Sequence, residues 1–257
     1  MESDKSLCAN CITGTLHEGT PQGKIEYIDG VQCYIATPSG DYPKDKVLLY
    51  LTDAFGIPLV NNKLLADGFA REGFKTVIVD YHNGDSIPVG TMHRPSQGFN
   101  LDGWLANHTP ALSLPPLRKV IAVLKAEGVT TFGATGYCMG SYYVFQLAFE
   151  GFLTAASAAH PSFLAVPEDL EVKYATTVTA PLLINGCETD WQYPIEKQEL
   201  GDKIFANFAP GYKREYFEGC DHGFAVRGDV RVPKIKAGKE GAFKATVAWM
   251  NKYLYKL

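Results

Sequence analysis

The sequence predicts an α/β fold: one domain with a doubly wound, mostly parallel sheet flanked by helices. Three observations carry that prediction. Runs such as Val47-Leu48-Leu49-Tyr50-Leu51 lack polar alternation, as expected of strands buried on both faces of a parallel sheet. These runs alternate along the chain with segments of helical spacing. At 257 residues the chain can bury one sizeable core and no second large domain.

Taken in order, residues 1–23 are rich in Gly, Thr and Pro and read as an arm lying across the body. Cys8-x-x-Cys11 followed by His17 raises a zinc reading, but a structural site needs four ligands and no second Cys or His pair stands at finger spacing. No metal and no cofactor is therefore expected. Lys24–Ile28 and Val31–Ile35 alternate around Asp29-Gly30, a hairpin signal. A buried strand is expected at Val47–Leu51, then a helix over Asn62–Glu72 stopped by Gly73. The next strand is Lys75–Asp80. Residues 81–115 show little periodicity outside Leu101–Leu105, and so long a stretch without firm elements reads as a cap or pocket wall. Leu117–Glu127 is amphipathic and ends at Gly128. Further strands are expected at Thr154–Ala159, Pro181–Asn185 and Arg214–Phe217, with helices near 195–208 and 240–255.

Composition narrows the function. Hydrophobic residues make up 46% and charged residues 20%, ordinary for a globular protein. A net charge of −4 gives no basic footprint for nucleic acid or an anionic membrane. No stretch reaches membrane-span length, and Met1–Ser6 is polar, without the apolar core of a secretory signal. The expectation is a cytoplasmic protein, monomeric or homodimeric, acting on a small molecule.

The chemistry is concentrated at Gly136-Tyr137-Cys138-Met139-Gly140. Gly-x-Cys-x-Gly between a strand and an apolar helix is a nucleophile elbow with a thiol in the serine position. The glycines let strand and helix close on each other, and the helix N-terminus favours a thiolate. A thiol nucleophile needs a base, and the base needs a group that holds its tautomer. His222, after the strand at Arg214–Phe217, is the base; Asp190, after the strand at Pro181–Asn185, is the orienting acid, with Glu188 a competitor. Asp221 abuts His222 and reads as a turn residue. The order nucleophile, acid, base is that of α/β-hydrolases. An oxyanion would be met by the backbone N–H groups of Met139 and of Ala54, in the loop after Val47–Leu51. Asp53 lies near the sulfur or caps its loop. Trp104, His108, Tyr143, His160, Trp191 and Tyr193 are candidate pocket residues, with a core role open for Trp104 and a structural one for His160.

These motifs resemble the dienelactone hydrolase family of α/β-hydrolases. Asp53-Ala54-Phe55-Gly56, the elbow, the Asp190 segment and His222-Gly223-Phe224-Ala225-Val226-Arg227-Gly228 carry the likeness over most of the chain. The arm, with Cys11-Ile12-Thr13-Gly14 and His17-Glu18-Gly19-Thr20-Pro21, is similar to eukaryotic, particularly fungal, members. The resemblance implies a Cys138-Asp190-His222 triad that opens a small ester or lactone through a thioester. It implies that Asp53 stands where bacterial members have a glutamate that pairs with the cysteine, and that Arg227 is one of two arginines holding a substrate carboxylate. The chain departs at the second arginine, reading Tyr81-His82-Asn83-Gly84. A binding module on the same scaffold, or an acyltransferase or lyase, are the other readings.

Overall fold

Two residues of positive φ, Asp29 at 46° and Gly30 at 78°, turn β1 (Lys24–Ile28) back onto β2 (Val31–Ala36). That conformation at both central positions matches the twist of the flanking strands. β2 also pairs antiparallel with β4 (Thr76–Val79). All other pairings are parallel and join β3 (Lys46–Leu51), β5 (Thr131–Tyr137), β6 (Ala155–Ala159), β7 (Leu182–Thr189) and β8 (Tyr212–Asp221). The sheet order is β1-β2-β4-β3-β5-β6-β7-β8. This computed structural model describes residues 12–93 and 99–256.

The helices that flank the sheet are α1 (Val60–Arg71), α2 (Leu101–Ala106), α3 (Pro110–Ala126), α4 (Met139–Phe149), α5 (Ala175–Thr177), α6 (Ile195–Ile204), α7 (Phe224–Arg227) and α8 (Pro233–Met250). Val47 to Leu51 are wholly buried, as an unbroken apolar strand must be. Phe69 of α1 and Phe243 of α8 bring their ring centroids to 4.7 Å, packing the helix after β3 against the last long helix. No helix among the described residues is long and apolar enough to cross a membrane.

Several boundaries differ from expectation. α3 begins at Pro110 rather than Leu117 and runs through Pro115 and Pro116. Proline in a helix interior leaves a carbonyl one turn back without its N–H. Here Asn83 Nδ2 donates to the carbonyl of Leu112 at 3.2 Å, replacing the bond that Pro116 cannot make. β7 and β8 extend beyond Asn185 and Phe217, to Thr189 and Asp221. The two late strands pair through Cys187↔Phe217, then shift register to Thr189↔Asp221. The last long helix starts at Pro233 and ends at Met250. Proline at its first turn suits a start there, and the chain then continues as one π-helical segment, Asn251–Tyr255.

Residues 12–23 follow the body by specific bonds. Thr15 N–H donates to the Arg227 carbonyl at 2.8 Å, and Asn61 Nδ2 donates to the carbonyls of Thr15 and Val226. His17 sits with Nε2 2.8 Å from the Gly228 carbonyl. Cys8 and Cys11 lie outside the described residues.

Candidate active site

Parallel strands present their carboxyl ends on one side, where ligands of such sheets bind. β5 ends there in a turn whose tip is Cys138, at φ 53° and ψ −118°. A non-glycine residue held there is strained, and such strain gathers at functional sites. A side chain on Gly140 would collide with the Leu51 carbonyl, and one on Gly136 with the Gly140 backbone. The two glycines therefore let α4 start directly against the ends of β3 and β5. The Cys138 N–H donates to the Ala159 carbonyl at 3.1 Å. The side chain is fully buried, with Sγ 3.4 Å from Ser162 Oγ.

The register of the two last strands sets the other half of the site. Because Thr189 pairs with Asp221, the next residues, Asp190 and His222, leave the sheet side by side. The His222 N–H donates to the Thr189 carbonyl at 3.0 Å. The ring Nδ1 then lies 2.9 Å from Asp190 Oδ1. That oxygen also accepts the N–H groups of Gln192 at 2.9 Å and Tyr193 at 3.1 Å. Three donors thus hold one carboxylate against one imidazole.

Burial by itself lowers the pKa of His222. Asp190 and Cys138 outweigh it by charge and hydrogen bonding, and raise it well above 6.5. Asp190 occupies Nδ1, and the buried Nε2 has no hydrogen-bond partner among the described residues.

Ala54 and Met139 sit at neighbouring strand ends, since Leu51 pairs with Gly136 across β3 and β5. Both are buried. Met139 also helps line a pocket of about 100 Å3, together with Leu105, His108, Tyr142, Tyr143 and Phe163. Tyr143 is fixed in that wall by its hydroxyl, which donates to the His108 carbonyl at 3.0 Å. Trp104 braces it from behind: its ring stacks on His108 at 3.9 Å, and Nε1 donates to the Asp85 carbonyl at 2.6 Å.

Other expected site residues are placed as follows. Asp53 is fully buried and forms an ion pair with Arg227 Nη1. It also accepts from Asn62 Nδ2 at 3.1 Å and from the Phe55 N–H at 3.3 Å. Arg227, expected to face a substrate carboxylate, is buried and donates through Nε to the Thr13 carbonyl at 2.9 Å. Its charge is balanced by Asp53, 174 residues earlier in the chain. Trp191, expected in the pocket wall, is 56% exposed on the connection from β7 to α6. Tyr193 is buried and contributes its N–H to Asp190.

Two positions escaped the sequence reading. Ser162 reaches Cys138 Sγ; its one signal was a place two residues after His160, beyond a strand end. His82, in the Tyr81–Gly84 stretch after β4, is buried beside His108 and Ser86. Burial first and His108 second lower its pKa to about 3.

Comparison with known proteins agrees with the architecture. The profile of the dienelactone hydrolase family matches residues 31–254. The hydrolase pyvD of Aspergillus violaceofuscus is 35% identical over 251 residues, covering 96% of each chain. Dienlactone hydrolase 1 of Gibberella moniliformis is 30% identical over 255 residues, covering 96% of this chain and 94% of its own. Among solved structures, a Klebsiella pneumoniae protein described as a dienelactone hydrolase superposes with a TM-score of 0.70. It covers 91% of this chain and 100% of its own at 18% identity, a likeness of fold. The chain belongs to the dienelactone hydrolase family.

Proposed function

We propose that this protein hydrolyses small esters or lactones through a thioester on Cys138, with His222 as base and Asp190 as its orienting group. The observation that carries the reading is the imidazole of His222, held at Nδ1 by Asp190 at 2.9 Å, with Cys138 near enough that, with Asp190, it raises the ring's pKa. A raised ring pKa favours imidazolium beside thiolate, the reactive form of such a pair.

His222 takes the thiol proton and the sulfur attacks the substrate carbonyl. The N–H groups of Met139 and Ala54 stabilise the oxyanion. The C–O bond breaks as His222 gives the proton to the leaving alkoxide. Water then attacks the thioester, its proton goes to His222, and the thiol leaves with that proton as the acid forms.

The charge pattern favours uncharged substrates. Arg227 is neutralised by Asp53, and the stretch Tyr81-His82-Asn83-Gly84 carries no arginine where the resemblance implies the second one. The pocket beside Met139 is lined chiefly by aromatic and aliphatic groups and holds about 100 Å3, which suits a small apolar substituent. Hydrolysis of p-nitrophenyl acetate by wild type and Cys138→Ala tests the reading. Loss of turnover with retained folding is expected; undiminished esterase activity would refute it. Wild type should prefer a neutral ester to its carboxylate-bearing analogue.

A further inference from the structure

The turn after β6 keeps two features that folded chains ordinarily avoid. His160 has φ +37°, in the left-handed region that few non-glycine residues adopt. Its ring is fully buried, and neither Nδ1 nor Nε2 has a hydrogen-bond partner among the described residues. Unpaired buried polar atoms are destabilising and call for an explanation.

Both ends of the proposed thiol–imidazole pair meet this one turn. The His160 ring lies 4.9 Å from that of His222, at 65°. Its other neighbours are the rings of Phe224 at 5.6 Å and Tyr137 at 6.2 Å. Two residues on, Ser162 places its hydroxyl 3.4 Å from Cys138 Sγ, and its N–H donates to the Cys138 carbonyl at 3.2 Å. The turn is anchored to β7, where the His160 N–H donates to the Asn185 carbonyl at 2.9 Å.

We propose that His160 is a positioning residue for His222: a buried ring 4.9 Å from it that fixes the imidazole on the Cys138 side, while Ser162 sets the sulfur from the same turn. An aromatic ring within about 6 Å stabilises a neighbouring cation, and most when water is excluded. A second imidazolium there would repel His222 instead. The charged and titratable groups around the pair are Asp190 after β7, Cys138 at the elbow, Arg227 in α7 and Lys239 in α8. Burial first, then the charges on His222 and Arg227, keep His160 neutral. The proposal rests on the reading of Cys138 and His222 given above.

Two variants separate ring from nitrogen and backbone. His160→Asn tolerates positive φ but lacks the ring; His160→Phe keeps a ring and loses the nitrogens. Three residues on, Phe163 shows a phenylalanine at positive φ, +65°. Iodoacetamide labelling of Cys138, read by peptide mass against pH, reports the ion pair without turnover. His160→Asn is expected to lower labelling about tenfold near pH 6.5, a shift of one pKa unit toward an ordinary thiol. His160→Phe is expected to stay within about threefold of wild type, and kcat/KM to follow the same order. A wild-type profile in His160→Asn, or equal loss in His160→Phe, would overturn the proposal. So would nitrogen-15 spectra of the unaltered protein showing His160 protonated at neutral pH. Failure of the underlying reading appears separately, as turnover that survives Cys138→Ala.

Discussion

Oδ1 of Asp190 is shared by three donors, the ring of His222 and the backbone N–H groups of Gln192 and Tyr193. One oxygen thereby fixes both the loop and the imidazole. Asp190→Asn replaces an acceptor by an amide that can present its N–H to the ring and force the wrong tautomer. We expect kcat to fall about a thousandfold or more, with KM little changed. Steady-state kinetics on p-nitrophenyl acetate check this, and a loss below tenfold would count against the role of Asp190.

The Arg227–Asp53 ion pair is wholly buried. Removing one partner strands a charge without water, at a cost of about 3–5 kcal/mol, whereas replacing both by apolar side chains costs far less. Urea unfolding of Asp53→Ala, Arg227→Met and Asp53→Leu/Arg227→Met should show the singles much weaker than the double. Additive losses would mean the pair is not coupled.

Gly140 is where the elbow helix meets β3. Gly140→Ala places a methyl group on the Leu51 carbonyl, and backbone on both sides leaves it nowhere to go. It should prevent folding or abolish activity, while Gly40→Ala, with open space around it, should leave both unchanged. Expression yield and circular dichroism decide the matter.

Acid stability follows from two buried neutral histidines. The folded pKa of His82 is lowered to about 3, by burial and then His108, and that of His160 is lowered well below 6.5, by burial and then His222. Below pH 6.5 the unfolded chain binds protons that the folded one does not, so each should remove about 1.4 kcal/mol of stability per pH unit. His222 works in the opposite sense. Its raised folded pKa contributes stability that is fully present below about 6.5 and is lost as pH rises through the folded value. Thermal unfolding as a function of pH should therefore decline on the acid side, and His82→Asn should flatten that decline by one histidine's share. An unchanged slope would contradict it.

The legible part of this protein was local. Gly136, Cys138 and Gly140 announce a turn because only small residues let a strand run straight into a helix. His222 and Asp190 could be located because each follows an apolar strand, and parallel strands end on one side. Their adjacency depends on the Thr189↔Asp221 register, and a shift of register leaves no mark in hydrophobic pattern. Pro115 and Pro116 concealed the first turns of α3, since the donor that compensates for Pro116, Asn83, lies 29 residues before its acceptor Leu112. Arg227 illustrates the same limit. Only the resemblance singled it out, as an arginine for a substrate carboxylate, whereas its counter-charge and the Thr13 carbonyl come from distant segments brought in by packing.

Mass spectrometry of the intact protein, quenched in acid during turnover of p-nitrophenyl acetate, tests the central claim most directly. The account predicts one added acetyl group, carried by the peptide containing Cys138, labile to hydroxylamine and missing in Cys138→Ala. Acetyl on another residue, or full turnover by Cys138→Ala with no adduct, would contradict it.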